Sequence, residues 1–316
     1  MKRVNKNNKD IVKPQRLNRG DTIGIIAPAS SFDIENFKRG VGMLKAMGYR
    51  VKYERSIFTS CWSKPGHNKQ RGFQINRMFA DPQVKAIFCA KAGYGSIEIL
   101  PYLNKPLIRR NPKIFVGYSD ITILLLYLQH FTNMVVFHGP VVSDEIYAGM
   151  NSATLDYLLR ILSQALPLGS IMFPQLVSFK SGKATGTLVG GNLSLIANSI
   201  STPYKISTNN VILFLEDVAE DLESIRAYFL RLRRAGKFKR VKGILFGKMI
   251  DCFQTQENLK TLVNEVFKSY DIPILFGFPS GHKHRKEASH VTLPLGVTAT
   301  LDADNLLLQI NEAAVV

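Results

Sequence analysis

Cysteine is scarce in this sequence: Cys61, Cys89 and Cys252 are all it has in 316 residues. Their odd number and the lack of any CxxC spacing argue against a disulfide framework. Cys89 lies in an apolar, strand-like run, where a buried thiol is expected. Long apolar runs are missing too, and none approaches the ~20 residues that cross a bilayer. The basic start, Met1 to Asp10, leads into Ile11-Val-Lys-Pro-Gln-Arg16 and not into an apolar signal core, so a cytoplasmic protein with no membrane partner is expected. Neither GxGxxG nor a Walker A loop occurs, which removes support for a dinucleotide or P-loop nucleotide, and no cofactor is expected.

Acidic residues are in short supply. Asp and Glu total 24 against 41 Lys and Arg, a formal charge of +17. The basic residues are dispersed, with clusters at the N-terminus and at Arg231-Leu-Arg-Arg-Ala-Gly-Lys-Phe-Lys-Arg240. The second cluster sits at an expected helix end, where cations complement the helix dipole. No nucleic-acid motif with interleaved aromatics accompanies them, so nucleic acid is not the expected partner.

What is present is ordinary globular material, 46% hydrophobic and 21% charged, and long enough for two domains. Strand-like runs begin at Thr22, Arg50, Val84, Ile114 and Val135, and helical spacing lies between them, as in Ile34, Phe37, Val41 and Leu44 after Asp33. This alternation predicts an α/β fold with a doubly wound, mainly parallel sheet. Residues 1–20 read as a loose lead-in, and about 150–185 as a helix followed by a connecting region punctuated by Pro167, Gly169, Pro174 and Gly182. The expected division is a first domain over residues 1–165 and a second, strand-rich α/β domain over 166–316.

Ligands of such a sheet sit beyond the carboxyl ends of its strands. The loops Ala27-Pro-Ala-Ser30, Ala92-Gly-Tyr-Gly95 and Gly117-Tyr-Ser-Asp120 fall there. Ile114-Phe-Val116 reads as a buried strand, and Ile121, Leu124, Leu125 and Leu128 as one helix face. Ser119 is therefore left on a tight strand-to-helix turn. Two readings stand open for it: a helix N-cap, which serine favours, or an exposed nucleophile beside free backbone N–H groups. No glycine stands two residues after it, so the GxSxG pattern of ordinary α/β-hydrolases is absent.

A serine nucleophile needs a base, usually a histidine oriented by a carboxylate. Of the six histidines, His138 and His282 lie at strand ends beside glycine; His130 falls inside a helix and His67 in a polar stretch. Glu216 ends an apolar strand, Leu213-Phe-Leu215, whereas Asp217 suits a helix cap. His282, His284 and His290 invite a metal reading, but no HExxH or cysteine pair joins them and Lys283, Arg285 and Lys286 crowd them with like charge, so no metal is expected.

Together these blocks are specific. Gly20-Asp-Thr-Ile-Gly-Ile-Ile-Ala-Pro28, Ala92-Gly-Tyr-Gly-Ser96, Gly117-Tyr-Ser-Asp-Ile-Thr122 and Phe137-His-Gly-Pro140, in that order, resemble the LD-carboxypeptidase family of serine peptidases. Gly190-Gly-Asn-Leu193, Leu213-Phe-Leu-Glu-Asp217, Gly281-His282 and Leu293-Pro-Leu-Gly296 extend the resemblance to the C-terminus. It implies a Ser119, Glu216, His282 triad, with the backbone N–H of Asp120 and of the Gly93–Gly95 loop as oxyanion donors. It also implies a nucleophile-bearing first domain, a second domain supplying Glu and His, and a homodimer.

The chain departs from the family pattern at Lys91-Ala92, where Arg-Gly is usual, at Glu98, where an arginine is usual, and at Ser201 before Thr-Pro. The departures bear on substrate. Two enzyme activities are implied: removal of the terminal D-alanine from murein tetrapeptides, or cleavage of the amide in peptidyl or aminoacyl nucleotide conjugates, as in microcin C immunity. A third reading, from another class, is a small-molecule or nucleic-acid binder on the same scaffold.

Overall fold

The computed structural model describes residues 11–58, 66–282 and 289–316. The first half alternates β1 (Thr22–Ile26), β2 (Arg50–Tyr53), β3 (Val84–Cys89), β4 (Ile114–Gly117) and β5 (Val136–His138) with α1 (Ile34–Ala46), α2 (His67–Ala80), α3 (Lys105–Arg110) and α4 (Thr122–Thr132). After α5 (Ser152–Ser163) come β6 (Gly169–Met172), β7 (Val177–Lys180), β8 (Lys183–Asn192) and α6 (Leu193–Asn198). Next are β9 (Val211–Val218), α7 (Leu222–Arg234), β10 (Val241–Ile250), α8 (Gln256–Phe267) and β11 (Ile274–Phe276). The chain ends with β12 (Leu293–Leu295), β13 (Thr298–Asp302) and β14 (Leu307–Ile310).

Two sheets result, and the α/β expectation holds for both. The first has the order β12-β5-β4-β3-β1-β2, parallel except for β12. β1 and β4 are buried at every position, as strands covered on both faces must be. Asp33 caps α1 by accepting from the Asn36 N–H, and Phe37, Val41 and Leu44 turn inward at the predicted spacing. The second sheet runs β6-β14-β13-β8-β9-β10-β11-β7, with a parallel centre, β8 to β11, and antiparallel flanks. α4 packs against β5 of one sheet and β8 of the other, which explains why Thr122 to Leu128 are buried all round and show no polar face.

Three expectations need correction. The segment from residue 11 is tied down, not loose: Val12 bridges Met134, Arg16 N–H donates to the Val316 carbonyl and Leu17 N–H to that of Leu162. The connecting region contains β6 and β7, each four residues long and so too short for alternation to register. Finally, β12 comes late in sequence yet completes the first sheet by pairing antiparallel with β5, Leu293 opposite His138.

Candidate active site

Ser119, Glu216 and His282 are brought together from three separate parallel strand ends. Ser119 follows β4, Glu216 lies near the end of β9, and His282 follows β11. Their order in space is Ser119 Oγ to His282 Nε2, 2.7 Å, and His282 Nδ1 to Glu216 Oε2, 2.7 Å.

The turn bears on the two readings of Ser119. Its φ is +59°, left-handed backbone that a side chain other than glycine's adopts at a cost of ~1–3 kcal/mol. A short 3₁₀ turn, Ser119–Ile121, precedes α4, and the N-cap position belongs to Tyr118, which makes no side-chain capping bond. The hydroxyl is therefore not a cap. It faces His282 Nε2 instead.

Glu216 is fully buried, and one oxygen, Oε2, accepts from both the His282 ring and the His282 backbone N–H, at 3.1 Å. This double grip depends on Gly281, whose φ is +113° and where a Cβ would stand 2.6 Å from that same oxygen. Burial alone would raise the carboxyl's pKa, but the facing imidazoles of His282 and His138 overcome it and hold Glu216 well below the usual carboxylate range. For His282, burial pulls the imidazole down and the Glu216 charge pushes it up; the charge wins, and the pKa lies above its ordinary value. Asp217 is not the cap expected of it: Asp221 caps α7 and Asn192 caps α6, and Asp217 supports the latter by accepting from Asn192 Nδ2 and Ser194 N–H, while burial beside Glu216 raises it to about 6.

The loop after β3 faces the same point. Gly93 and Gly95 are both left-handed, with φ of 109° and 113°. Ser30 Oγ accepts from Tyr94 N–H at 3.0 Å, and buried Arg71 donates to the carbonyls of Pro28, Ala29 and Gly95. Asp120 ties this loop to the nucleophile turn. Its carboxylate accepts from Ser96 N–H at 2.8 Å and its carbonyl from Ser96 Oγ at 2.7 Å. Burial raises the Asp120 carboxyl, and the Ser96 and Gly95 backbone N–H groups beside it work against that rise.

Sequence reasoning missed several supporting residues. Tyr118 stands edge-on to His138, His282 and His290, with ring centroids 5.9, 5.2 and 4.6 Å away, and its hydroxyl donates to Glu145 at 2.9 Å. Arg71 and Glu145 carried no local signal, because each serves loops distant in sequence. His284 and Cys61 lie outside the described residues; His290 is fully buried, and among the described residues no three His, Cys, Asp or Glu side chains group as metal ligands. No described helix is long and apolar enough to cross a membrane.

Known proteins share this arrangement of sheets and strand ends. Residues 23–139 match the LD-carboxypeptidase N-terminal domain and residues 185–301 the LD-carboxypeptidase C-terminal domain. The probable murein peptide carboxypeptidase of Bacillus subtilis (strain 168) is 32% identical over 295 residues, covering 92% of this chain and 91% of that one. The chain belongs to the LD-carboxypeptidase family. It is a serine carboxypeptidase by that membership, and solved members superpose on it throughout. Escherichia coli is the source of the microcin C7 self-immunity protein MccF. The structure of MccF in complex with glutamyl sulfamoyl guanosine has a TM-score of 0.87 at 25% identity, covering 96% of this chain and 100% of MccF. The muramoyltetrapeptide carboxypeptidase from Oxalobacter formigenes gives 0.78 at 25% identity, covering 92% and 99%.

Proposed function

We propose that this protein removes the C-terminal D-alanine from murein tetrapeptides, with Ser119, His282 and Glu216 as its catalytic triad. The observation that carries the reading is the pair of 2.7 Å contacts that join the three side chains in the order a triad requires. Ser119 Oγ attacks the scissile carbonyl as His282 Nε2 takes its proton. Glu216 holds the Nδ1–H tautomer and stabilises the imidazolium that forms. The same imidazolium then gives its proton to the departing amine of D-alanine, and water repeats the sequence on the acyl-enzyme.

The backbone N–H groups of Asp120 and Gly93 receive the oxyanion, a donor of this kind being worth about 3–4 kcal/mol in the transition state. The charge of +17 suits a peptide that bears several carboxylates.

A second reading has its own support. The structural likeness to MccF, solved with a sulfamoyl nucleotide, is at least as close as that to the muramoyltetrapeptide carboxypeptidase. On this reading the same triad cleaves the amide of an aminoacyl nucleotide conjugate, and the basic surface meets its nucleotide. Incubating the protein with a diaminopimelyl-D-alanine murein tetrapeptide and, separately, with an aminoacyl sulfamoyl adenylate distinguishes the two. Release of free D-alanine with a much higher kcat/KM than sulfamoyl adenosine release is expected. The reverse preference overturns the murein assignment in favour of the second.

A further inference from the structure

Behind the triad lies a cluster of buried polar atoms that the mechanism above does not use. Glu216 has a second oxygen, Oε1, and among the described residues no hydrogen bond reaches it. The same holds for His138 Nε2, for both ring nitrogens of His290 and for Thr292 Oγ1. Each of these side chains is fully buried, and a buried carboxylate oxygen without a donor is costly. The His138 ring faces it, with Nε2 3.9 Å from Glu216 Oε1.

His138 is fixed by what surrounds it. It ends β5, flanked by β4 at Gly117 and β12 at Leu293, so both neighbouring strands set its backbone. Its ring is packed edge-on between Tyr118 and Phe214, centroids 5.9 and 4.9 Å away. The other ring nitrogen, Nδ1, lies 3.2 Å from Ser280 Oγ. With Ser280 Oγ–H donating to Nδ1, the ring proton is left on Nε2, facing Glu216. Ser280 stands two residues before His282, and its carbonyl accepts from Lys248 N–H. His138 therefore touches the loop that carries the base and faces the acid that orients it, while sitting on the strand next to the nucleophile's own.

We propose that His138 is a positioning residue that holds the free oxygen of Glu216 and the Ser280–His282 loop in register with Ser119. At 3.9 Å the separation is longer than a hydrogen bond, so the Nε2–H acts on the carboxylate electrostatically, across a buried gap of low dielectric. The groups facing His138 are Glu216 from β9, Tyr118 after β4, His290 before β12 and Ser280 after β11. Farther charges are Asp217 and Glu145, which act on His282, and Lys248, which acts on His290. Without the His138 N–H, the full carboxylate charge of Glu216 falls on His282. The imidazolium is then favoured, and His282 titrates at higher pH than in the native protein.

This proposal rests on the triad reading but is tested separately from it. His138→Phe keeps the aromatic packing and removes both ring nitrogens; His138→Gln places an amide N–H near the Nε2 position. In ¹⁵N-histidine-labelled protein without substrate, the low-field His282 Nδ1–H resonance should titrate at higher pH in the Phe variant and return toward native in the Gln variant. On the D-alanine tetrapeptide, the Phe variant should lose about tenfold in kcat with KM unchanged, and Gln should recover most of it. His138→Met, an unbranched apolar filler, replaces Phe in the comparison if the Phe variant does not fold. Identical His282 titration in native, Phe and Gln proteins overturns the proposal, as does equal kcat in the two variants. Failure of the tetrapeptide to be cut would overturn the substrate reading and leave the titration to decide His138.

Discussion

The two sides of the active site are built in opposite ways. On the proposed triad, the nucleophile side is local: β4, Ser119, the 3₁₀ turn and α4 follow one another within residues 114–132, and the left-handed backbone of Ser119 sets where its hydroxyl stands. The base side is assembled from afar, with Glu216 and His282 66 residues apart and His138 142 residues from Ser280, its partner on the His282 loop. Its precision comes from close approach, such as Gly281 resting on the Glu216 carboxylate, and from burial of the charge. The difference teaches where errors propagate. A change on the nucleophile side should lower the rate without altering proton affinity, whereas a change on the base side should alter both.

On the base side the largest effect is expected at Glu216. Glu216→Gln keeps the shape and removes the charge, and kcat should fall by roughly 10⁴-fold. The pH profile supplies the sign. His282 must be neutral to accept the serine proton, so kcat/KM rises as pH passes its raised pKa. Removing the Glu216 charge leaves burial in control, and the acid limb of the residual activity should move to lower pH. An acid limb that stays in place would show that Glu216 does not govern His282.

A paired substitution sharpens the comparison further. Gly93→Ala puts a Cβ 2.3 Å from Ser30 Oγ at a φ of 109°, and the loop must move away from the oxyanion. A loss of about 10²–10³ in kcat is expected, with the acid limb unmoved. Gly281→Ala crowds Glu216 Oε2 instead and should cost less in rate, because the carboxylate charge remains, but it should displace the acid limb. If both variants behave alike in pH, the two sides are not separate devices.

How much could be read in advance follows the same divide. The nucleophile stretch was legible because strand, turn and helix periods change within a few residues, leaving Ser119 alone on the turn. Glu216 and His282 stood out only as polar residues ending apolar strands; it took the ordered family blocks to join them. His138 is visible in the sequence as a strand end, yet its burial against Glu216 depends on β12 returning to the first sheet, which no local pattern announces. Arg71 and Glu145 were invisible, since their partners are loops at distant positions. β6 and β7 escaped because four residues are too few to show a period of two.

The central claim is that Ser119 is the attacking group, and Ser119→Ala tests it most directly. Purified native and variant proteins are given the same murein tetrapeptide, and free D-alanine is measured over time, with thermal unfolding followed in parallel. The native protein should release D-alanine, and the variant should lose at least ~10⁴-fold in kcat with its fold intact. Turnover by the Ala variant at the native rate would contradict the account.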